Sequence, residues 1–184
     1  MHRRVSGPAV LVLASGRGER FKASGGTGSK LEAMLFGKTV LDRTLDAVRA
    51  SGLRWHLEDK GHPGMGDSIA AAVHATRDAS GWLILPGDLP LVQAATLSAV
   101  AQAVASHAVV LPRYGGRQGH PVGFGSACRD ALLDLTGPLG ASTVVRAQRD
   151  VGGVFTLDID DPGIVTDIDT VDDLARAEAL LLRR

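Results

Sequence analysis

Short apolar runs that recur along the chain restrict the architecture more than any other feature. Val10-Leu11-Val12-Leu13, Trp82-Leu83-Ile84-Leu85 and Ala108-Val109-Val110-Leu111 each lie between turn residues. Runs of this length, rich in β-branched and aliphatic residues and bounded by Gly, Pro or Ser, predict buried strands. Segments with helical spacing lie between them. Thr39-x-x-Asp42 has the form of a capping box, followed by Leu41, Leu45 and Val48 and closed by Gly52, which predicts a helix over 39–51. An alanine-rich helix is predicted over 69–78, capped by Asp67 or Ser68, with others over 94–106, 126–135 and 141–149. A second box, Thr170-x-x-Asp173, opens a last helix running to Leu182. Further strands are predicted over 53–58, 122–124 and 154–159, and a strand or strand end over 164–169. Strands alternating with helices predict an α/β protein with a mostly parallel sheet. The close spacing near 120–125 and 154–168 predicts that part of it is antiparallel. At 184 residues the chain is expected to form a single domain over 1–184.

The first strand runs into a loop holding Gly16, Gly18, Gly25, Gly26 and Gly28, with Arg17, Arg20, Lys22 and Lys30 spread through it. Glycine lets backbone N–H groups approach an anion, and Arg and Lys neutralise one. The loop is either a phosphate cradle or a solvated surface loop, and composition alone leaves both open. Phe21 stands where a dinucleotide fingerprint needs its third glycine, and there is no Walker-type Gly-Lys-Ser/Thr.

Pro86-Gly87-Asp88-Leu89-Pro90 follows the apolar run at 82–85. A carboxylate just past the carboxyl end of a central strand lies where α/β sheets bind ligands, so Asp88 is either a turn cap or a ligand for a hard cation. Asp167 and Asp169 alternate along an extended stretch and would share a side, facing either a cation or solvent. The N-terminus of the 69–78 helix would offer free N–H donors to a base or a phosphate. In the basic loop Arg113-Tyr114-Gly115-Gly116-Arg117-Gln118-Gly119-His120-Pro121, His120 reads as a substrate contact or a loop residue more than a proton carrier.

Charge and cysteine usage narrow the class. The formal net charge is zero, which argues against a general nucleic-acid surface. The charge is nevertheless polarised: residues 1–30 hold six Lys/Arg against Glu19 alone, and residues 151–184 hold eight Asp/Glu against three Arg. Basic and acidic ends suit two halves of one site, for phosphates and for a cation, or are a chance imbalance. Cys128 is the only cysteine, which excludes an internal disulfide and fits a reducing compartment. No run is long enough for a membrane-spanning helix, and the apolar stretch after Met1-His2-Arg3-Arg4 is too short for a signal peptide. The expectation is a cytoplasmic protein without membrane or nucleic-acid partners.

Taken in order, these segments resemble the nucleotidyltransferases of molybdenum cofactor biosynthesis, the MobA-like NTP transferases, and within them the molybdopterin cytidylyltransferase-like branch. Leu13-Ala14-Ser15-Gly16-Arg17-Gly18-Glu19-Arg20-Phe21, with Lys30 and Leu31, is similar to the signature NTP loop. Gly64-Met65-Gly66-Asp67-Ser68-Ile69 is similar to the second nucleotide-contacting segment, and Pro86-Gly87-Asp88-Leu89-Pro90 to the metal-binding strand end. Gly119-His120-Pro121-Val122 and Asp167-Ile168-Asp169-Thr170-Val171-Asp172-Asp173-Leu174 match two further segments.

The resemblance implies a three-layer α/β/α, Rossmann-like fold of the nucleotide-diphospho-sugar transferase type. It implies transfer of NMP from an NTP, CTP favoured and GTP possible, to a phosphorylated, molybdopterin-type acceptor, with pyrophosphate released. Arg17, Arg20, Lys30 and Asp88 would be catalytic. Leu13, Ala14, Ser15, Gly16, Arg17, Gly18, Lys30, Met65, Gly66, Asp67 and Ser68 would hold the nucleotide. Arg113, Gly119, His120 and Pro121 would lie on the acceptor side, and Asp88 and Asp169 would hold Mg2+ or Mn2+. A recipient molybdoenzyme or its chaperone is the implied protein partner. A guanylyltransferase, a transferase with another acceptor, and a cofactor-binding maturation protein that has lost transfer are the alternatives, an oxidoreductase being a lesser form of the last.

Three features depart from the family pattern. Nine residues separate Arg20 from Lys30, where a few are usual. The stretch between Ser51 and Gly64 is too short for the usual strand–helix–strand, so one βα unit is missing and the nucleotide half is shortened. Gly137-Pro138-Leu139-Gly140-Ala141-Ser142 replaces an acidic Gly-Asp segment.

Overall fold

The computed structural model describes residues 7–16 and 18–183. In chain order the elements are β1 (Ala9–Leu13), α1 (Glu19–Ala23), the short strands β2 (Met34–Leu35) and β3 (Lys38–Thr39), α2 (Val40–Ala50), β4 (Arg54–Glu58), α3 (Met65–Ala75) and β5 (Gly81–Pro86). Then follow α4 (Ala94–Ala103), β6 (Val109–Tyr114), β7 (Arg117–Gln118), β8 (Val122–Gly125), α5 (Arg129–Leu133), α6 (Ser142–Asp150), β9 (Val154–Asp158) and α7 (Val171–Leu181).

Seven strands form one sheet in the order β4-β1-β5-β8-β6-β7, with β9 paired to β6. β1 runs parallel to β4 and β5, and β9 runs parallel to β6. β8 is antiparallel to both β5 and β6, so the antiparallel part expected late in the chain lies at β8 rather than β9. β4 is the sheet edge beside β1.

The period of two in β1 divides the core between the two faces of the sheet. Ala9, Leu11 and Leu13 pack with Ile69, Ala72 and Val73 of α3 and Leu132 of α5. Val10 and Val12 pack with Leu45 and Val48 of α2 and Leu97 and Val100 of α4. Helices therefore cover both faces, giving the three layers expected. A third, smaller cluster joins Phe21, Leu31, Leu35 and Val40 to Leu91, Ile168 and Ala177, tying the early loop to α7. Among the described residues no helix is long and apolar enough to cross a membrane.

Both Thr-x-x-Asp signals mark helix starts. Thr39 accepts from the Asp42 N–H at 3.0 Å, and Thr170 with Asp173 forms the complete reciprocal box. Three elements differ from the sequence reading. α3 begins at Met65 with Gly64 as its N-cap and no side-chain cap, so neither Asp67 nor Ser68 caps it. The cause is tertiary: a Cβ on Gly64 would lie 2.4 Å from the Gly137 carbonyl, and the close approach of that loop fixes the first turn. The stretch 164–169 is not a strand. Pro162–Val165 is a 3-10 turn started by Asp161, whose carboxylate accepts from Gly163 N–H at 2.9 Å. The predicted 126–135 helix is likewise a 3-10 turn, Ser126–Cys128, leading into α5. Cys128 is buried there, and burial pushes its thiol pKa up, consistent with an inert core residue.

Asp161 also places the residues that follow it. Buried at 1 % exposure, it accepts from Gln93 N–H at 2.9 Å and from Thr96 Oγ1 at 2.7 Å. Its charge thereby caps the N-terminus of α4, where a carboxylate is favoured. This anchors the 162–169 segment across the carboxyl end of the sheet.

Candidate active site

The carboxyl ends of the parallel strands are stitched together by backbone hydrogen bonds. Gly87 N–H donates to Leu13 O at 2.9 Å, and Ala14 N–H donates to Glu58 O at 2.9 Å. Ile168 N–H donates to Asp88 O at 3.0 Å, which brings the acidic segment of the chain's end against the β5 terminus. Asp169 lies one residue beyond this bond and one before the α7 N-cap. Two carboxylates far apart in sequence are thus fixed side by side by backbone geometry.

Lys30 enters between them. Its Nζ donates to Asp88 Oδ2 at 2.6 Å and to Asp169 Oδ1 at 2.7 Å, and Arg20 pairs with Asp169 Oδ2 at 2.9 Å. Side-chain exposure is 13 % for Lys30 against 78 % for Arg20, so the lysine is the desolvated member and the arginine is solvent-screened. Burial alone would depress the Lys30 pKa. The Asp88 charge and the hydrogen bonds to both carboxylates outweigh it and hold the amine above its ordinary value, fully charged at neutral pH.

The nine residues between Arg20 and Lys30 do not move the lysine away. α1 is a single short helix entered through Gly18 at φ 62°, a left-handed conformation that glycine adopts without strain. Phe21, 3 % exposed, packs on Gly26, where a Cβ would lie 2.3 Å from the ring. Val171 N–H donates to Ser24 Oγ at 3.0 Å, fastening the loop to the start of α7. The Phe at the third position of the Gly-x-Gly-x-x pattern is therefore the loop's anchor.

The carboxylates open onto a cleft of about 370 Å3, whose wall includes Arg20, Lys30, Met65, Arg117, His120 and Asp167. The other expected positions fall into distinct places. Ser15 and Ser68 meet, Oγ to Oγ, at 3.2 Å, so the first and second expected nucleotide segments touch. Gly66 N–H donates to Gly137 O at 2.8 Å, and Asp67 Oδ2 accepts from Gly137 N–H at 2.9 Å. These groups latch the 137–141 loop, so the helix start does not present all its N–H donors to a ligand as expected. Leu13 closes β1 and lines an apolar chamber beside the cleft. Ala14 and Gly16 flank Ser15 in the loop; Arg17 lies outside the described residues.

On the far wall the structure exchanges one arginine for another. Arg113 stands opposite Asp158 in the β6–β9 register and forks onto it at 2.7 and 3.1 Å, away from the cleft. Arg117 and Gln118 line the cleft instead, carried there by the turn at Gly115 and Gly116, both at positive φ. The Gly-Gly pair was the sequence signal for this reversal, which makes Arg113 and Arg117 alternatives. Gly119 packs so tightly that a Cβ would lie 2.3 Å from Ile164 O, and His120 N–H donates to that same oxygen at 3.0 Å. Pro121 leads directly into β8. Burial pushes the His120 pKa below its ordinary value despite Asp88 nearby, so the ring is neutral at pH 7, and its Nδ1 is buried without a partner. Gly119→Ala is expected to lower unfolding stability by about 1–3 kcal/mol through overpacking. A denaturant midpoint equal to wild type would show that the contact relaxes freely.

A divalent ion fits this centre. Asp88 Oδ1 is buried and has no hydrogen-bond partner, and Asp88 and Asp169 present hard oxygen donors from two segments. No cluster of three or more His, Cys, Asp or Glu suited to a metal is present among the described residues, so a cation here would complete its shell with phosphate and water oxygens.

This fold is that of the nucleotidyltransferases. Residues 46–151 match the model of the MobA-like NTP transferase domain, and the chain belongs to that family. Rv0371c from Mycobacterium tuberculosis H37Rv is 26% identical over 95% of this chain and 99% of its own, with TM-score 0.81. A second structure of it, a complex with manganese, gives 22% identity and TM-score 0.71. A nucleotidyl transferase from Methanothermobacter thermautotroptrophicus is 21% identical over 96% of this chain and 98% of its own, TM-score 0.81. Molybdopterin-guanine dinucleotide biosynthesis protein A from Archaeoglobus fulgidus shares the fold at 17% identity, TM-score 0.58, over 96% of this chain and all of its own.

Proposed function

We propose that this chain, acting as one domain, transfers a cytidylyl group from CTP to a phosphorylated, molybdopterin-type acceptor and releases pyrophosphate. The observation that carries this is the meeting of Lys30 and Arg20 with Asp88 and Asp169 at one cleft. Cations suited to a triphosphate and carboxylates suited to a divalent ion, gathered at one cleft, support binding of the two together. The preference for CTP rests on the motifs shared with the cytidylyltransferase-like branch; GTP is the runner-up.

A phosphate oxygen of the acceptor would attack the α-phosphorus of the NTP, and the bond to the bridging oxygen of pyrophosphate would break. Two anions must be brought together and charge grows on the leaving group, so positioning and neutralisation dominate catalysis. Backbone N–H groups of the 15–18 loop would hold the phosphates, and Lys30, with Arg20 and Arg17, would neutralise them. Asp88 and Asp169 would hold magnesium or manganese, which when bound supplies Lewis-acid stabilisation of phosphate oxygens. Arg117 and His120 would face the acceptor. Lys30 is the pivot of this arrangement: a triphosphate entering the cleft would draw its ammonium off the two carboxylates. With its one thiol buried, the protein suits a reducing, cytoplasmic setting, where a molybdoenzyme or its chaperone would receive the product.

A thermal-shift panel of CTP, GTP, ATP and UTP with magnesium tests the reading. CTP is expected to raise the midpoint most, and molybdopterin added to it should release pyrophosphate. The short stretch between Ser51 and Gly64 favours one second reading, a maturation protein that binds nucleotide without transfer. Stabilisation by CTP with no pyrophosphate under any acceptor would establish that reading, and absence of any nucleotide shift would overturn both.

A further inference from the structure

Beside the carboxylate cleft lies a second space of a different character. It measures about 290 Å3 and is floored by Leu13, Ile84, Val122 and Phe124 of the sheet, with Ile69 of α3 and Val145 of α6 as walls. Among the described residues no Asp, Glu, Lys or Arg lines it, and its polar side chains are Gln118, His120 and Ser142. It joins the cleft through a common wall of Met65, Pro86, Gln118 and His120. Its roof is the 139–142 stretch, beside the latch that Gly66 and Asp67 make with Gly137.

Three observations indicate a ligand chamber. Met65 and Leu139, which border it, are 45 % and 68 % exposed, so two large apolar side chains beside it are left uncovered by the described residues. His120, in the shared wall, carries one of the few buried side-chain nitrogens or oxygens without a hydrogen-bond partner among the described residues. The walls come from β1, β5, β8, α3 and α6, so the space is held open by the main elements rather than by one mobile loop.

We infer that this chamber receives the non-phosphate end of the acceptor, and that this end is an uncharged, flat or compact group with few polar edges. Its phosphate would lie in the cleft, within reach of Arg117. A triphosphate does not suit a space with no cation among its described lining residues, and a sugar rich in hydroxyls would lose hydrogen bonds to water that three polar side chains cannot replace. The inference rests on the transferase reading and keeps its phosphorylated acceptor. It departs from the molybdopterin type, whose pterin has many polar edges and whose dithiolene is anionic, and favours an apolar ring-bearing phosphate over a polyol phosphate.

The test uses two named probes with the full chain and magnesium: 1-naphthyl phosphate and glycerol 3-phosphate. Wild type is expected to bind the first at least about tenfold more tightly, a difference that burial of one ring supplies, with methyl shifts at Ile69, Ile84 and Val145 in NMR. Val145→Trp, which fills the chamber, should erase the preference while the CTP-induced thermal shift stays as in wild type. Ala141→Leu, a smaller filling at the roof, serves if the tryptophan variant does not fold. Equal affinity for the two phosphates, or a preference that survives filling, overturns the inference. A filled variant that loses CTP binding also overturns it, because the chamber would then house the nucleobase. Failure of wild type to respond to any nucleotide would count against the transferase reading instead, and the naphthyl result would stand apart from it.

Discussion

Asp88→Ala will abolish metal-dependent pyrophosphate release while cooperative unfolding persists. Asp88 contributes a carboxylate to the cleft and nothing to the apolar core, and its backbone oxygen still accepts from Ile168 N–H whatever its side chain. The stitch that sets Asp169 in place therefore survives the substitution. What is lost is one of the two carboxylates proposed to hold the ion, together with the buried, unpartnered Oδ1. Removing a group aimed at developing charge costs at least about 10²-fold in turnover. A coupled pyrophosphate assay measures the loss, and a thermal melt checks the fold. Turnover close to wild type would remove Asp88 from the reaction centre.

Lys30→Met carries the second large effect, and it has two readouts of opposite sign. Nucleotide affinity and turnover should fall, turnover by about 10²-fold, because the least exposed cation of the cleft is gone. Affinity for Mn2+ without nucleotide should rise, by about tenfold, or 1.4 kcal/mol. In wild type an incoming ion competes with an ammonium held at 2.6 and 2.7 Å from the same two carboxylates. Methionine has similar length and no charge, leaving Asp88 and Asp169 to repel each other until a cation arrives. Electron paramagnetic resonance of added Mn2+ counts the free ion directly. An Mn2+ affinity unchanged by the substitution would show that the lysine does not compete for those oxygens.

The sequence was most informative where the physics is local. Buried strands showed as β-branched runs, and Thr39 and Thr170 marked helix starts through side chains that act within one turn. Asp88 was legible because its place past a strand end follows from topology. Other features depended on contacts distant in sequence. Nothing near Gly64 announces that residue 137 will press on it and start α3 early. The alternation of Asp167 and Asp169 resembled a strand, yet the buried Asp161 anchors that segment to α4 as a 3-10 turn and an irregular run. Arg113 was expected on the acceptor side, but the Gly115-Gly116 reversal and the Arg113–Asp158 pair bring Arg117 to the cleft instead. The chamber could not be read at all, since its walls are ordinary core residues that happen to stop short of one another.

The bond from Val171 to Ser24, which joins residues 147 apart, and the small cluster holding Phe21, Ile168 and Ala177 make the centre depend on segments outside the sheet. Every strand of the sheet precedes residue 159, whereas Asp169 and the clasp on the basic loop come after it. A chain cut just after β9 would therefore keep all the strands and lose both the second carboxylate and the fastening of the basic loop.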